Sequence, residues 1–171
     1  EIRALLKKHQ VTIYDLTNRK GELKYILLTK SDSHDEILVR FVLRSKDQLD
    51  AFRKITVELR AQSASVKVVT ANIQPVHQAV LEGDEEIVLT ENKNIHHRFD
   101  DFTLALGPRS FFQVTPEIAR QLYQALASQV ALDQPETLLD LYCGVGAFSF
   151  YAAKHCKQVT GIEISKEAIE C

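Results

Sequence analysis

Cysteine is scarce: the 171 residues hold three, Cys143, Cys156 and Cys171, with no Cys-x-x-Cys pair among them. An odd, unpaired set argues against a disulfide framework and fits a reducing compartment. Long apolar runs are missing as well. None approaches the roughly 18 residues of a membrane span, and no signal peptide is visible. The histidines lack metal-ligand spacing, since His96 and His97 are adjacent while His77 and His155 stand apart; no metal site is expected. No Gly-Lys-Ser/Thr follows the glycines Gly144 and Gly146, which excludes a phosphate loop. The full GxGxxG fingerprint is absent too, because Ser149 stands where its third glycine belongs.

What is present is ordinary for a soluble globular chain: 45% apolar and 26% charged residues. The net charge of −2 is unevenly spread. Residues 1–72 carry 14 basic and 9 acidic side chains, and residues 73–105 carry 2 and 7. The basic excess permits a nucleic-acid surface without establishing one. Arg3, Lys7, Lys8, Arg19, Lys20, Lys24, Arg40 and Arg44 are candidate phosphate contacts, with solvated surface the ordinary reading. The chain starts at Glu1 and stops at Cys171, about six residues into a helix expected near Ser165. It therefore reads as an internal piece of a longer protein.

The most informative stretch is 137–165, TLLDLYCGVGAFSFYAAKHCKQVTGIEIS. A short apolar run containing Asp140 meets a glycine turn at Gly144 and Gly146. About ten helix-compatible residues follow from Ala147, and a second apolar run, 159–164, carries Glu163 near its end. This is the order strand, turn, helix, strand of an open α/β sheet, whose ligands sit at the carboxyl ends of the strands. Glycines let the backbone approach a ligand closely, and Glu163 is placed to accept hydrogen bonds from ribose hydroxyls. Residue chemistry thus points to a nucleotide-like cofactor. Asp140 is placed to orient the loop or to reach the ligand through water, and Tyr142 to pack on a ribose or adenine. A plain packing turn, a solvated strand-end acid and a core tyrosine are the ordinary alternatives. Cys143 lies in the turn with no base nearby in sequence and is expected to be a structural thiol.

The preceding residues predict a compact α+β domain over 1–105, a mainly antiparallel sheet with a covering helix. A helix end is expected over 2–9. Residues 11–16 and 23–29 read as a hairpin around the polar cluster 17–21. Strands are expected at 37–43, 66–73 and 86–90. A helix over 45–62 is capped by Ser45 and begins near Lys46–Asp47. Residues 106–171 form the second domain, the opening of an α/β fold. In GPRSFFQVT (107–115), Phe111 and Phe112 point to opposite sides, with Phe112 either a cofactor wall or core. Gln113 is placed to close over a ligand. Thr115 and Pro116 start a helix whose apolar positions are Ile118, Leu122, Ala125, Leu126 and Val130.

Ser110-Phe111-Phe112-Gln113 with Thr115-Pro116, then Asp140-Leu141-Tyr142-Cys143-Gly144-Val145-Gly146 and Gly161-Ile162-Glu163, resemble the bacterial RNA (uracil-5-)-methyltransferases. Residues 19–29, 40–45 and 72–77 resemble more narrowly those members that act on 23S ribosomal RNA. The resemblance implies a Rossmann-like S-adenosylmethionine-dependent methyltransferase domain, begun here and truncated. It implies that Gln113, Tyr142 and Glu163 bind S-adenosyl-L-methionine, with the Gly144–Gly146 turn against it; Asp140 joins them as a cofactor-binding candidate from residue chemistry alone. It also implies methylation of uracil C5 through cysteine addition at C6, on a base extruded from its stack. The family's catalytic cysteine, general-base glutamate and a further cofactor-binding asparagine come later in its order, and its [4Fe-4S] cysteines come earlier. No catalytic residue is therefore assigned within 1–171. Thr115 stands where members often carry Asn, a change expected to bear on helix capping. The implied partner is 23S rRNA, with no membrane, in a cytoplasmic monomer. Two alternatives remain from the sequence: an RNA-binding or structural module without methyl transfer, and a methyltransferase with a non-RNA substrate.

Overall fold

The computed structural model describes residues 1–78, 80–111, 113 and 115–171. The chain divides into two compact units, Glu1–Ile95 and His96–Cys171.

The first unit is built on a four-stranded sheet. Its strands are β1 (Leu23–Ser31), β2 (Glu36–Leu43), β3 (Val66–Ile73) and β4 (Glu85–Val88), in the order β1-β2-β3-β4. Helix α1 (Ile2–Lys8) precedes the sheet, and α2 (Leu49–Gln62) connects β2 to β3. The outer pairings, β1 with β2 and β3 with β4, are antiparallel. The central pairing, β2 with β3, is parallel. The sheet is mainly antiparallel as expected, with one parallel pairing at its centre. Two parallel neighbours need a long crossover, and α2 supplies it. The central strands are buried on both faces, as parallel pairs are. Val39, Phe41 and Leu43 of β2 join Val69, Ala71 and Ile73 of β3 in one core with Leu5, Phe52, Ile55 and Leu59. Phe41 and Phe52 meet with ring centroids 4.9 Å apart.

Two further expectations fail locally. Residues 11–16 are not a strand; only single bridges tie Ile13 to Leu23 and Asp15 to Lys20. β1 is the edge strand of the sheet, and its one ladder partner is β2. Gly21 (φ 101°) lies so close to this loop that a Cβ there would fall 2.2 Å from the Ile13 carbonyl oxygen. Helix α2 begins at Leu49 rather than at 46–47, and Ser45 does not cap it. The Ser45 hydroxyl instead donates to buried Glu22 (2.9 Å to Oε2) and accepts from the Asp47 amide (3.1 Å).

Arg40 is not solvated surface. It is 3% exposed on β2. Its Nε donates to both oxygens of Glu86 at 3.0 Å, its Nη2 to Glu86 at 2.5 Å, and its Nη1 to Glu82. Glu86 also accepts from Thr70 Oγ1 (2.6 Å) and Asn72 Nδ2 (2.9 Å). Burial alone would raise the Glu86 pKa, but the hydrogen bonds from Arg40 and Thr70 outweigh it and hold the carboxyl below its ordinary 4.5.

The second unit holds the two-stranded β5 (Ile95–Phe99) and β6 (Phe102–Leu106). After them come α3 (Pro116–Asp133), β7 (Thr137–Leu141), α4 (Ala147–Ala152), β8 (Gln158–Ile162) and α5 (Lys166–Glu170). Strands β7 and β8 are parallel, with Asp140 opposite Gly161. An aromatic cluster joins β6, α3 and α4. Phe102 stacks on Phe150 and meets Tyr151 edge-on, both at 5.1 Å, and Tyr123 lies 5.9 Å from Tyr151. Because of this packing, the boundary read near residue 106 falls inside the second unit. Thr115 sits at the N-cap of α3 without a side-chain capping bond. The expected apolar face of α3 is not the buried one: Ile118 and Leu122 are exposed, while Ala119 and Ala127 are buried. The small side chains let α3 approach its neighbour closely, and Tyr123 carries the contact.

Removing one partner of the buried Arg40–Glu86 pair leaves the other charge uncompensated. Glu86→Ala should cost about 3–5 kcal/mol in denaturant unfolding. Because the Glu86 pKa is depressed on folding, the pair's contribution is present above about pH 4.5 and is lost as pH falls through the lower folded value. The acid limb of the stability–pH curve should flatten in the variant.

Candidate cofactor site at the ends of β7 and β8

Sequence places an acid at the end of one strand and a glycine turn at the end of its neighbour, and parallel pairing of β7 and β8 brings them together. The Glu163 carboxylate accepts from the Gly144 amide (2.9 Å, Oε2) and from the Ser165 amide (2.8 Å, Oε1). These backbone donors, Ser165 first and Gly144 next, hold its pKa below the usual carboxylate value. A carboxylate has about four acceptor positions, so the backbone donors leave capacity for a ligand. The Cys143 amide donates to the Ile162 carbonyl (3.2 Å), and the Gly146 amide to the Cys143 carbonyl (2.9 Å), which closes the turn.

The turn needs left-handed backbone at three positions: Tyr142 (φ 60°), Gly144 (φ 57°) and Gly146 (φ 79°). Glycine adopts this readily; tyrosine rarely does. Tyr142 is not a core residue, being 85% exposed. It lines an open depression of about 370 Å³ with Leu141, Ile162, Glu163 and Ile164. The acid sits among apolar walls, a composition suited to a flat base bearing a polar sugar. A larger groove of about 560 Å³ lies at the other end of the strands, beside Glu136 and Lys157. Those are amino ends, where open α/β sheets do not hold their ligands.

Asp140 accepts from Ser149 Oγ at 2.6 Å, which ties β7 to the first turn of α4. Gly161 lies beneath Cys143, and a Cβ there would fall 2.7 Å from its sulfur. Ser149 and the Ser165 amide are parts of the site that motif reading passed over, and Gly161, quoted in its motif, was given no role there. A glycine inside a strand is itself a sign of close approach, and Gly161 could have been found that way. Burial, then Asp140 and Glu163, push the Cys143 thiol above its ordinary pKa. Gln113 is exposed in the irregular segment before α3, and no hydrogen bond among the described residues joins it to the turn. Phe112 lies outside the described residues. No group of three His, Cys, Asp or Glu side chains suited to a metal ion occurs among the described residues.

Strand, glycine turn, helix and strand, with an acid at the second strand's end, define a half-site of the open α/β class that binds nucleotide-like ligands. The tRNA (Uracil-5-)-methyltransferase family model matches residues 8–171, and the chain belongs to that family. It is 48% identical over 158 residues to the 23S rRNA (uracil(747)-C(5))-methyltransferase RlmC of Shewanella sp. strain W3-18-1, covering 92% of this chain and 41% of the relative. It is 49% identical to that of Shewanella baltica strain OS195, covering 92% and 40%. The chain thus spans about two-fifths of the length of these relatives. Among solved structures it shares the fold of Pyrococcus abyssi tRNA (uracil-54, C5)-methyltransferase in complex with S-adenosyl-L-homocysteine. That match has a TM-score of 0.77 at 24% identity and covers 99% of this chain and 40% of the other. It also matches the Methanocaldococcus jannaschii Trm5 bound to adenosine, with a TM-score of 0.51 at 18% identity, covering 99% and 45%.

A raised thiol pKa makes Cys143 a slow nucleophile near neutral pH. Its alkylation by iodoacetamide at pH 7.5 should be slower than that of a free cysteine, and faster labelling would argue for an activated thiol.

Proposed function

We propose that this chain contributes an α+β domain (the unit Glu1–Ile95) and the opening of a Rossmann-like domain (within the unit His96–Cys171) to an S-adenosylmethionine-dependent enzyme. The intact protein methylates C5 of a specific uridine in 23S rRNA. One observation carries the reading: the Glu163 carboxylate, held by the Gly144 and Ser165 amides, lies at the strand ends inside an apolar-walled depression. When bound, S-adenosylmethionine supplies an electrophilic methyl group.

This chain's own residues bind and position. Glu163 accepts the ribose hydroxyls. Tyr142, with Leu141, Ile162 and Ile164, walls the base and excludes water. Gly144 and Gly146 keep the turn low enough for close approach. Asp140, fixed by Ser149, holds the turn on α4. Gln113 adds side-chain hydrogen bonds from the segment before α3. Cys143 has no part in bond making; the attacking cysteine and the base belong to a later part of the family's order, and a [4Fe-4S] cluster to an earlier one. The 48% identity to a 23S rRNA enzyme supports the RNA substrate. No helix among the described residues is long and apolar enough to cross a membrane.

Tritiated methyl transfer to unmodified 23S rRNA by the intact protein, with the product nucleoside mapped, tests this directly. 5-Methyluridine is expected, and a methylated protein or no transfer would refute it. Glu163→Ala should weaken S-adenosylhomocysteine binding in calorimetry by about tenfold or more, through loss of charge-assisted hydrogen bonds. Residues 1–171 alone should transfer no methyl group, because the attacking thiolate is not among them.

A further inference from the structure

The first unit carries a second depression that the cofactor reading does not use. It measures about 120 Å³ and is lined by Tyr14, Leu16, Lys24, Tyr25, His77 and Gln78. Two stretches singled out by sequence, 19–29 and 72–77, converge on it. The Tyr14 hydroxyl and His77 Nδ1 lie 3.1 Å apart. Lys24 Nζ stands 4.9 Å from the Tyr14 ring centroid and donates to the Val76 carbonyl at 2.7 Å. The lysine therefore has further N–H donors to offer a ligand.

The frame around the depression is rigid. Gln74 is 2% exposed; its Oε1 accepts from the Val76 amide (3.0 Å) and its Nε2 donates to the Glu82 carbonyl (2.9 Å), which fixes the segment that carries His77. Gly21 seats the 11–22 loop against the start of β1. Arg44 Nε donates to the Gly21 carbonyl (3.0 Å). Arg44 lies close enough to Lys24 to lower its pKa, after burial, which lowers it more. Asp15 is the nearby acid on the loop, and it is engaged by the Asn18 amide at 2.8 Å.

Aromatic rings beside a partly desolvated ammonium, in a space for one flat ring, match one ligand chemistry: a base with its phosphodiester. Sequence-tolerant binding of single-stranded RNA combines stacking on aromatic side chains with lysine contacts to the backbone. We propose that this depression holds one unpaired nucleotide of the RNA substrate, outside the methylation site. The base lies against Tyr25 and His77, and the phosphodiester lies against Lys24 with Arg44 behind it. Tyr14 is a positioning residue that holds both His77 and Lys24. The inference rests on the RNA-methyltransferase reading and adds to it a second point of RNA contact.

The test uses the intact protein and a short single-stranded uridine-containing RNA, read by fluorescence anisotropy across a salt series. Tyr25→Ala and His77→Ala should each weaken binding about tenfold. Lys24→Ala should lower the slope of log affinity against log salt by about 1, and Lys24→Arg should restore it. Calorimetry with S-adenosylhomocysteine should be unchanged in every variant, which shows that the second unit is intact. In the unsubstituted protein, RNA carrying 5-iodouridine should photocrosslink to Tyr25 or His77. Variants within twofold of the parent, or crosslinks confined to other residues, would overturn this inference while leaving the methyltransferase reading in place. An intact protein that binds no RNA would overturn both.

Discussion

The Glu163 carboxylate is the constraint on which the turn after β7 and the end of β8 depend. It crosses from the end of β8 to the amide of Gly144 in the turn after β7. That bond, with the Cys143 amide on the Ile162 carbonyl, ties the two strand ends together. A carboxylate accepting backbone amides stays ionised and fixed in place. Under the proposed function the same group would meet a ligand without rearrangement, the sense in which such a site is preorganised. Glycine at 161 permits the arrangement from below, because any larger residue would displace Cys143.

The first unit meets a different constraint with a different device. Its central strands are buried on both faces, yet β2 carries an arginine. Arg40 is tolerated because Glu86, Glu82, Thr70 and Asn72 close a polar network around it. Such a network adds little net stability over an apolar replacement, but losing one member is costly. It also fixes the register of the short β4 on β3, since Thr70 pairs with Val88 and Asn72 with Glu86 in the ladder. The same sheet presents Lys24 and Tyr25 at the start of β1, beside His77 just beyond β3. Elements buried for folding reasons thus carry the groups that line the depression proposed to hold a nucleotide.

Local signals were legible where chemistry and periodicity agreed. Strand β3 was readable to the residue, since a β-branched run ends before Pro75. The order strand, turn, helix, strand around Gly144 and Gly146 was readable too. What failed depended on partners distant in sequence. Parallel pairing of β2 with β3 is invisible to period-two patterning, and only the helical stretch between them hinted at a crossover. Ser45 looked like a helix cap, but a buried glutamate 23 residues earlier claims its hydroxyl. Arg40 looked like surface because its acids lie more than 40 residues away. In α3, apolar spacing named Ile118 and Leu122, while the buried contact runs through alanines and Tyr123. At the site, Glu163 and the glycines were plain from the motif, whereas the Ser149 bond to Asp140 required the fold.

The most direct test of the account is a crystal structure of the intact protein with S-adenosyl-L-homocysteine. The account predicts the ribose hydroxyls on the Glu163 carboxylate, with its bond to the Gly144 amide retained and the base against Tyr142 and Ile164. A ligand seated at the amino ends of β7 and β8, beside Glu136 and Lys157, or a Glu163 turned away into solvent, would contradict it.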